Sequence, residues 1–205
     1  MAGRMFPFIT KTWNPIRYCS HNCTYCWAKK YGQDQSPRMR WKRLYEKFAE
    51  NDFVFACDMG DLFCDDIPSW MIEAVNECAD QLCKFLFLTK NPDRYMVECG
   101  NIAEGKRYHL GVTIESNRDY PAISKAPAQS ERLKAMAQLD DYYPENPRFV
   151  SVEPVLDFDL DPFLNSLVKI NAWGYAIGYD NHNHCLPEPP MEKTRLLIEG
   201  LRANG

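Results

Sequence analysis

The sequence predicts an α/β fold: a single domain forming an incomplete barrel of six strand–helix units, (βα)6, open at one side. Two observations carry this. Short apolar stretches of strand length alternate six times with amphipathic stretches of helical length, a pattern that means parallel pairing and right-handed crossovers. A closed eight-unit barrel takes about 250 residues, and this chain has 205.

Taken in order, residues 6–10 have the composition of a first strand that runs into a cysteine-rich loop. Residues 40–50 have helical character and end at Asn51-Asp52. Residues 53–57 are an apolar run of buried-strand length, stopped by the polar turn 58–61. A helix is expected over 67–82, with Pro68 in its first turn. The unit then repeats: strand 85–88 and helix 93–98, strand 108–114 and helix 129–139, strand 149–152 and helix 160–170, strand 173–177 and closing helix 190–202.

The chemistry centres on Cys19, Cys23 and Cys26. Three thiols this close would close strained disulfide loops, and their number is odd. Joint ligation of one soft centre suits them better: an iron–sulfur cluster, or zinc if a fourth ligand is found. Three ligands on a cubane leave one iron open to bind something else.

The Cys-x3-Cys-x2-Cys spacing, with Tyr25 before the last cysteine, resembles the signature of the radical S-adenosylmethionine (SAM) superfamily. Trp13-Asn14-Pro15, Met59-Gly60-Asp61-Leu62-Phe63, Leu88-Thr89-Lys90 and Ser151-Val152-Glu153-Pro154 resemble one branch of it, small phage-associated proteins of unknown function with a radical SAM fold. The resemblance runs from about Trp13 to Gly178. It implies a partial TIM-like barrel and a 4Fe–4S cluster on the three cysteines, with S-adenosyl-L-methionine chelated at the open iron. An external one-electron donor would then cleave the sulfonium to a 5′-deoxyadenosyl radical that abstracts hydrogen from a substrate.

The resemblance also implies roles around the cofactor. Asp58, Met59, Gly60 and Asp61 occupy the segment that meets the methionine amino group, although Met59-Gly60-Asp61 departs from the usual Gly-Gly-Glu. Thr113 and Glu115 stand at the ribose position, Tyr25 beside the adenine, and Ile177 and Gly178 at its other side.

Independently of the resemblance, polar residues recur where strands end: Asp58 and Asp61, Thr89 and Lys90, Thr113 and Glu115, Ser151 and Glu153, then Asp180. In parallel α/β folds working groups collect there. Ser151 and Glu153 are candidate cofactor or substrate contacts, Lys90 a candidate anion-binding group, and Cys64 a candidate hydrogen donor to a substrate radical. His21 shapes the cysteine loop. His182, His184 and Cys185 could hold an accessory metal, supply a fourth ligand or deliver a hydrogen atom from Cys185, but without partners at metal spacing an ordinary loop is the favoured reading. Cys57, Cys78, Cys83 and Cys99 read as small packed hydrophobes.

Bulk properties bound the class. Net charge −4 and a pI near 5.6 argue against a surface that binds nucleic acid all over. Residues 29–47 are the exception, with seven basic side chains and Trp27, Tyr31, Trp41 and Tyr45 interleaved. That run could hold a phosphate-bearing substrate; a solvated helix face with its aromatics in the core is the favoured expectation. Nine cysteines without an apolar leader point to the cytoplasm. No apolar run approaches the roughly 20 residues of a membrane span.

The sequence therefore predicts a radical SAM enzyme acting on an unidentified nucleotide, nucleic acid or peptide. A partner protein or nucleic acid is expected to cover the open side of the barrel. The rival is a non-catalytic iron–sulfur or zinc-binding protein whose cysteine loop is structural or docks a partner.

Overall fold

The computed structural model describes residues 5–32, 36–98 and 105–204; Cys99 lies outside them. β1 (Lys11–Trp13) is followed by a two-stranded antiparallel ribbon, β2 (Ile16–Arg17) with β3 (Arg38–Met39), and by the single turn α1 (Trp41–Leu44). Then come β4 (Phe53–Ala56), α2 (Ser69–Ala79), β5 (Lys84–Thr89), α3 (Asp93–Val97), β6 (Tyr108–Thr113) and α4 (Gln129–Ala137). β7 (Arg148–Val152), α5 (Leu160–Lys169), β8 (Gly174–Ile177) and α6 (Met191–Asn204) complete the chain. Six strands form one parallel sheet in the order β1-β4-β5-β6-β7-β8. Apart from the β2–β3 ribbon, spatial order follows chain order, as the alternating pattern required. No helix among the described residues is long and apolar enough to cross a membrane.

Side chains on a strand alternate between faces, and here the two faces pack separately. Val54, Ala56, Phe85, Phe87, Val112, Val150 and Val152 belong to the large core under the helices. Phe55, Leu86 and Phe149 point the other way, into the barrel, where Phe6 and Ile9 join them. Residues 6–10, expected as a strand, are instead this plug. Ile9 N–H donates to the Phe6 carbonyl, and the Phe6 ring packs edge-on to Phe149 at 5.0 Å. The first strand starts one residue later, at Lys11.

The helix expected over 40–50 stops after α1. The buried Trp13 indole donates to the Arg43 carbonyl at 2.7 Å, which the Glu46 N–H reaches at 3.3 Å in a tight i→i+3 turn instead of an α-helical one. The Phe48 N–H is taken by the Gln81 side chain. Elsewhere the expected elements are found with ends shifted by one to three residues, and α4 runs on into a 3-10 turn at Leu139–Asp141.

Alternation carried upward from the barrel plug fixes the mouth. Gly111 pairs with Phe149, and Thr113, two residues on, pairs with Ser151, which pairs with Ala176. Thr113 and Ser151 therefore face the barrel interior on the rung above the plug, with Lys90, Glu115, Glu153 and Gly178 in phase at the strand ends. The cysteine loop is pinned to this rim by a crossing of Tyr18 over the 58–61 turn. Tyr18 N–H donates to the Met59 carbonyl at 2.9 Å, and a Cβ on Gly60 would stand 2.7 Å from the Tyr18 N and O. Backbone atoms cannot give way there. Gly60→Ala is expected to lower stability by about 1–3 kcal/mol, read from the urea midpoint; an unchanged midpoint would mean the crossing is slack.

Candidate functional site

Two buried carboxylates organise the cysteine loop. The first, Asp61, follows β4. Its Oδ2 accepts from His21 Nε2 and from the Lys90 N–H, each at 2.8 Å, and its Oδ1 from the Phe63 N–H at 3.0 Å. Burial alone would raise its pKa, but the His21 hydrogen bond and charge hold the carboxyl below its usual range. Reciprocally, burial disfavours His21 as a cation, yet Asp61 lifts it to about 10. The sequence assigned His21 only to shaping the loop; it is a buried ion-pair partner.

Cys64 lies beside this pair. Its sulfur is 3.1 Å from Ser20 Oγ and 3.6 Å from His21 Nδ1, and it is hydrogen-bonded to Cys19. The contact couples the two thiols: sharing a proton with Cys19 pulls Cys64 down, while the same hydrogen bond and burial push Cys19 up. Cys64 is thus packed under the cysteine loop, against one of its three thiols.

The second carboxylate, Glu115, follows β6 and is 1% exposed. Oε1 accepts from the Tyr25 hydroxyl and faces Lys90 Nζ at 3.5 Å; Oε2 accepts from Gln129 Nε2 at 2.6 Å and Arg132 Nη1 at 2.7 Å. Desolvation opposes its charge, but Arg132 and Lys90 hold the carboxyl at about 2. Burial likewise works against the Lys90 ammonium, and the Glu115 charge more than restores it. The ammonium also sits 5.5 Å from the Tyr25 ring centre. Gln129 and Arg132 are one turn apart on the buried face of α4, with Ala135 and Met136. Two polar residues in phase with an apolar stripe were the sequence signal for them.

The remaining candidates fall into two sets. Asp58 accepts from Asn14 Nδ2, whose Oδ1 takes the Met59 N–H at 3.0 Å, while the Arg17 guanidinium rests on the Met59 sulfur. Burial raises Asp58, with Asn14 opposing it. Across the mouth, Ser151 Oγ donates to Glu153 at 3.3 Å, and Gly178 lies against Glu153. Burial raises the Glu153 carboxyl. No hydrogen bond among the described residues joins Ser151, Glu153, Ile177 or Gly178 to the cysteine loop. His182 and His184 stay in a loop, where Asp180 accepts from their backbone and from the His184 ring at 2.8 Å.

The loop itself suits a soft centre. Three thiols lie within eight residues, curved by left-handed Tyr18 (φ 70°) and Asn22 (φ 47°). A flanking segment braces it: Thr24 N–H donates to the Ile123 carbonyl, Lys125 N–H to the His21 carbonyl, and Cys23 Sγ meets Ser124 Oγ at 3.2 Å. Among the described residues no group of three His, Cys, Asp or Glu is arranged as a ready-made ion site, since Cys19 turns to Cys64 and Cys23 to Ser124. The donor chemistry fits an iron–sulfur cluster, and loading it means exchanging these partners for metal. A cavity of about 490 Å³ opens beside the brace, lined among others by Glu115, Tyr120, Ser124, Gln129 and Arg132.

Glu115→Gln leaves Arg132 buried without its counter-charge, which costs about 3–5 kcal/mol as a fall in the urea midpoint. Because the folded pKa of Glu115 is depressed to about 2, its contribution is full above the unfolded value of 4.5 and is lost between there and 2. Wild-type stability should therefore fall through that window more steeply than the Gln variant's. Equal slopes would contradict the assignment.

The comparisons with known proteins agree with this architecture. Spore photoproduct lyase complexed with dinucleoside spore photoproduct superposes with a TM-score of 0.56 at 12% identity, over 93% of this chain and 60% of that one. A double mutant of the same lyase with bound AdoMet and dinucleoside spore photoproduct gives 0.55 at 14% identity, over 91% and 59%. The chain thus spans about 60% of the length of these solved structures, and its partial barrel shares the fold of that lyase. No curated protein matches. The family described as "Protein of unknown function (DUF5131)" matches residues 5–171, most of the sequence, and the chain belongs to that family.

Proposed function

We propose that the protein is a radical SAM enzyme, with a 4Fe–4S cluster held by Cys19, Cys23 and Cys26 and S-adenosylmethionine bound at the barrel mouth. The observation that carries the reading is the pairing of a three-thiol loop with an inward-facing polar rung. Asp61 and Glu115 hold the loop, while Thr113, Ser151 and Glu153 wait opposite it. A structural staple needs no such mouth. A lyase of the same fold, solved with bound AdoMet, supports the reading. When bound, the cluster and S-adenosylmethionine supply one-electron cleavage of the sulfonium and removal of a hydrogen atom from substrate.

The chain's own groups divide the remaining work. Both oxygens of Glu115 already face two donors each, which fills a carboxylate's acceptor capacity. Glu115 is therefore a positioning residue that fixes Tyr25 and Lys90; a ribose hydroxyl would have to displace one of them. Glu153 has one long bond, from Ser151, and burial raises its pKa. It is the carboxylate with capacity to spare for cofactor or substrate. Gly60 lets the 58–61 turn run close beneath the loop. Cys64, buried and hydrogen-bonded to Cys19, positions that thiol.

That Cys64 contact favours one other reading. A fourth sulfur beside Cys19 would complete a four-thiolate zinc staple with no vacancy. Anaerobic reconstitution, reduction with dithionite and addition of S-adenosylmethionine separates the two. The enzyme reading expects methionine and 5′-deoxyadenosine, reduced to background in Cys23→Ala. Colourless protein carrying stoichiometric zinc that is lost in Cys64→Ala would overturn it.

A further inference from the structure

The basic, aromatic stretch after the cysteine loop does not take the form expected of it. Trp41, Tyr45 and Trp70 are 57%, 80% and 48% exposed, so these rings lie on the surface. Trp41 opens α1 and Trp70 lies in the first turn of α2, and their indoles stack at 5.9 Å with planes 12° apart. Isolated exposed aromatics are ordinary. Two tryptophans from different elements, stacked and half in water, make a flat π surface.

Positive charge surrounds it. Residues 36–48 carry Arg38, Arg40, Lys42, Arg43 and Lys47 against a single acidic residue, Glu46, in a chain whose net charge is −4. Arg17 and Arg38 are direct cross-strand partners in the β2–β3 ribbon, which brings two basic residues together beside the platform. The Arg17 guanidinium rests on a thioether, a weak acceptor, and the nearby carboxylates act on these arginines only through space, Asp58 on Arg17 and Glu46 on Arg40. Partial burial, then Arg17 and Arg43, depress the Arg40 pKa. Because the Arg17 contact is with Met59, this cluster reaches the 58–61 turn at the barrel rim.

We propose that this face binds single-stranded nucleic acid, with bases stacked on Trp41 and Trp70 and phosphates met by Arg40, Lys42 and Arg17, making an unpaired polynucleotide the substrate class of the barrel mouth. The binding stands on the surface alone; the substrate assignment rests on the radical SAM reading. Stacking platforms within a basic track are how proteins hold unpaired strands, whereas in a duplex the base faces are hidden. An acidic protein would satisfy the arginines but leave the indole faces without a partner.

The test is fluorescence anisotropy of the full chain with a labelled single-stranded DNA of about 16 nucleotides. Binding should be tighter than to the same sequence as a duplex and should weaken with salt. Trp41→Ala/Trp70→Ala should cost roughly 10-fold or more in affinity. Arg40→Ala/Lys42→Ala should reduce the slope of log affinity against log salt by about 1.4. All four side chains are exposed, and an unchanged urea midpoint checks that each variant folds. No binding at low salt, equal binding by the variants, or equal competition by polyglutamate would each overturn the proposal. Formation of 5′-deoxyadenosine by the same preparations keeps the outcomes apart: cleavage without strand binding sinks only this inference.

Discussion

A carboxylate removed from water must be paired, and the whole site follows from how this chain pairs two of them. Asp61 follows β4 and Glu115 follows β6, on either side of β5 in the sheet, and both are almost fully buried. Each draws a residue of the cysteine loop downward, His21 to one and Tyr25 to the other. Lys90 ties the two together, giving its backbone N–H to Asp61 and its ammonium to Glu115. A loop with little regular structure of its own thereby acquires fixed anchor points on either side of Cys23.

The anchoring has a consequence for charge. Glu115 is neutralised by Arg132 and Lys90, and Asp61 by His21. The two carboxylates that anchor the loop are thus each paired with a cationic side chain. Glu153, across the mouth, has no cationic partner among the described residues, and burial raises its pKa instead. Unpaired in this way, Glu153 is the carboxylate of the mouth that the proposed function gives to cofactor or substrate.

Much of this was legible in the sequence. The strands were found because both faces of a covered parallel sheet are apolar, leaving continuous runs such as Phe85 to Leu88. The polar rim was found because each run ends in a group that cannot stay in the core. The errors have physical causes. Phe6 and Ile9 carry the composition of a strand, but composition cannot tell a strand from a plug that fills a barrel. α1 ends where its Arg43 carbonyl meets the indole of Trp13, distant in sequence. The β2–β3 ribbon is too short to show periodicity. Arg132 was hidden inside an ordinary amphipathic helix, and the exposure of Trp41 and Trp70 is a property of two elements meeting, which no single window contains.

The central claim is that the thiol loop presents an iron with a vacancy facing the polar rung. It is tested most directly by electron paramagnetic resonance of the reconstituted, reduced protein with and without S-adenosylmethionine. The account predicts a signal from a reduced cubane whose shape changes when the sulfonium nucleoside is added, because the ligand binds the cluster itself. A signal indifferent to S-adenosylmethionine, or a protein that takes up zinc and gives none, would contradict it.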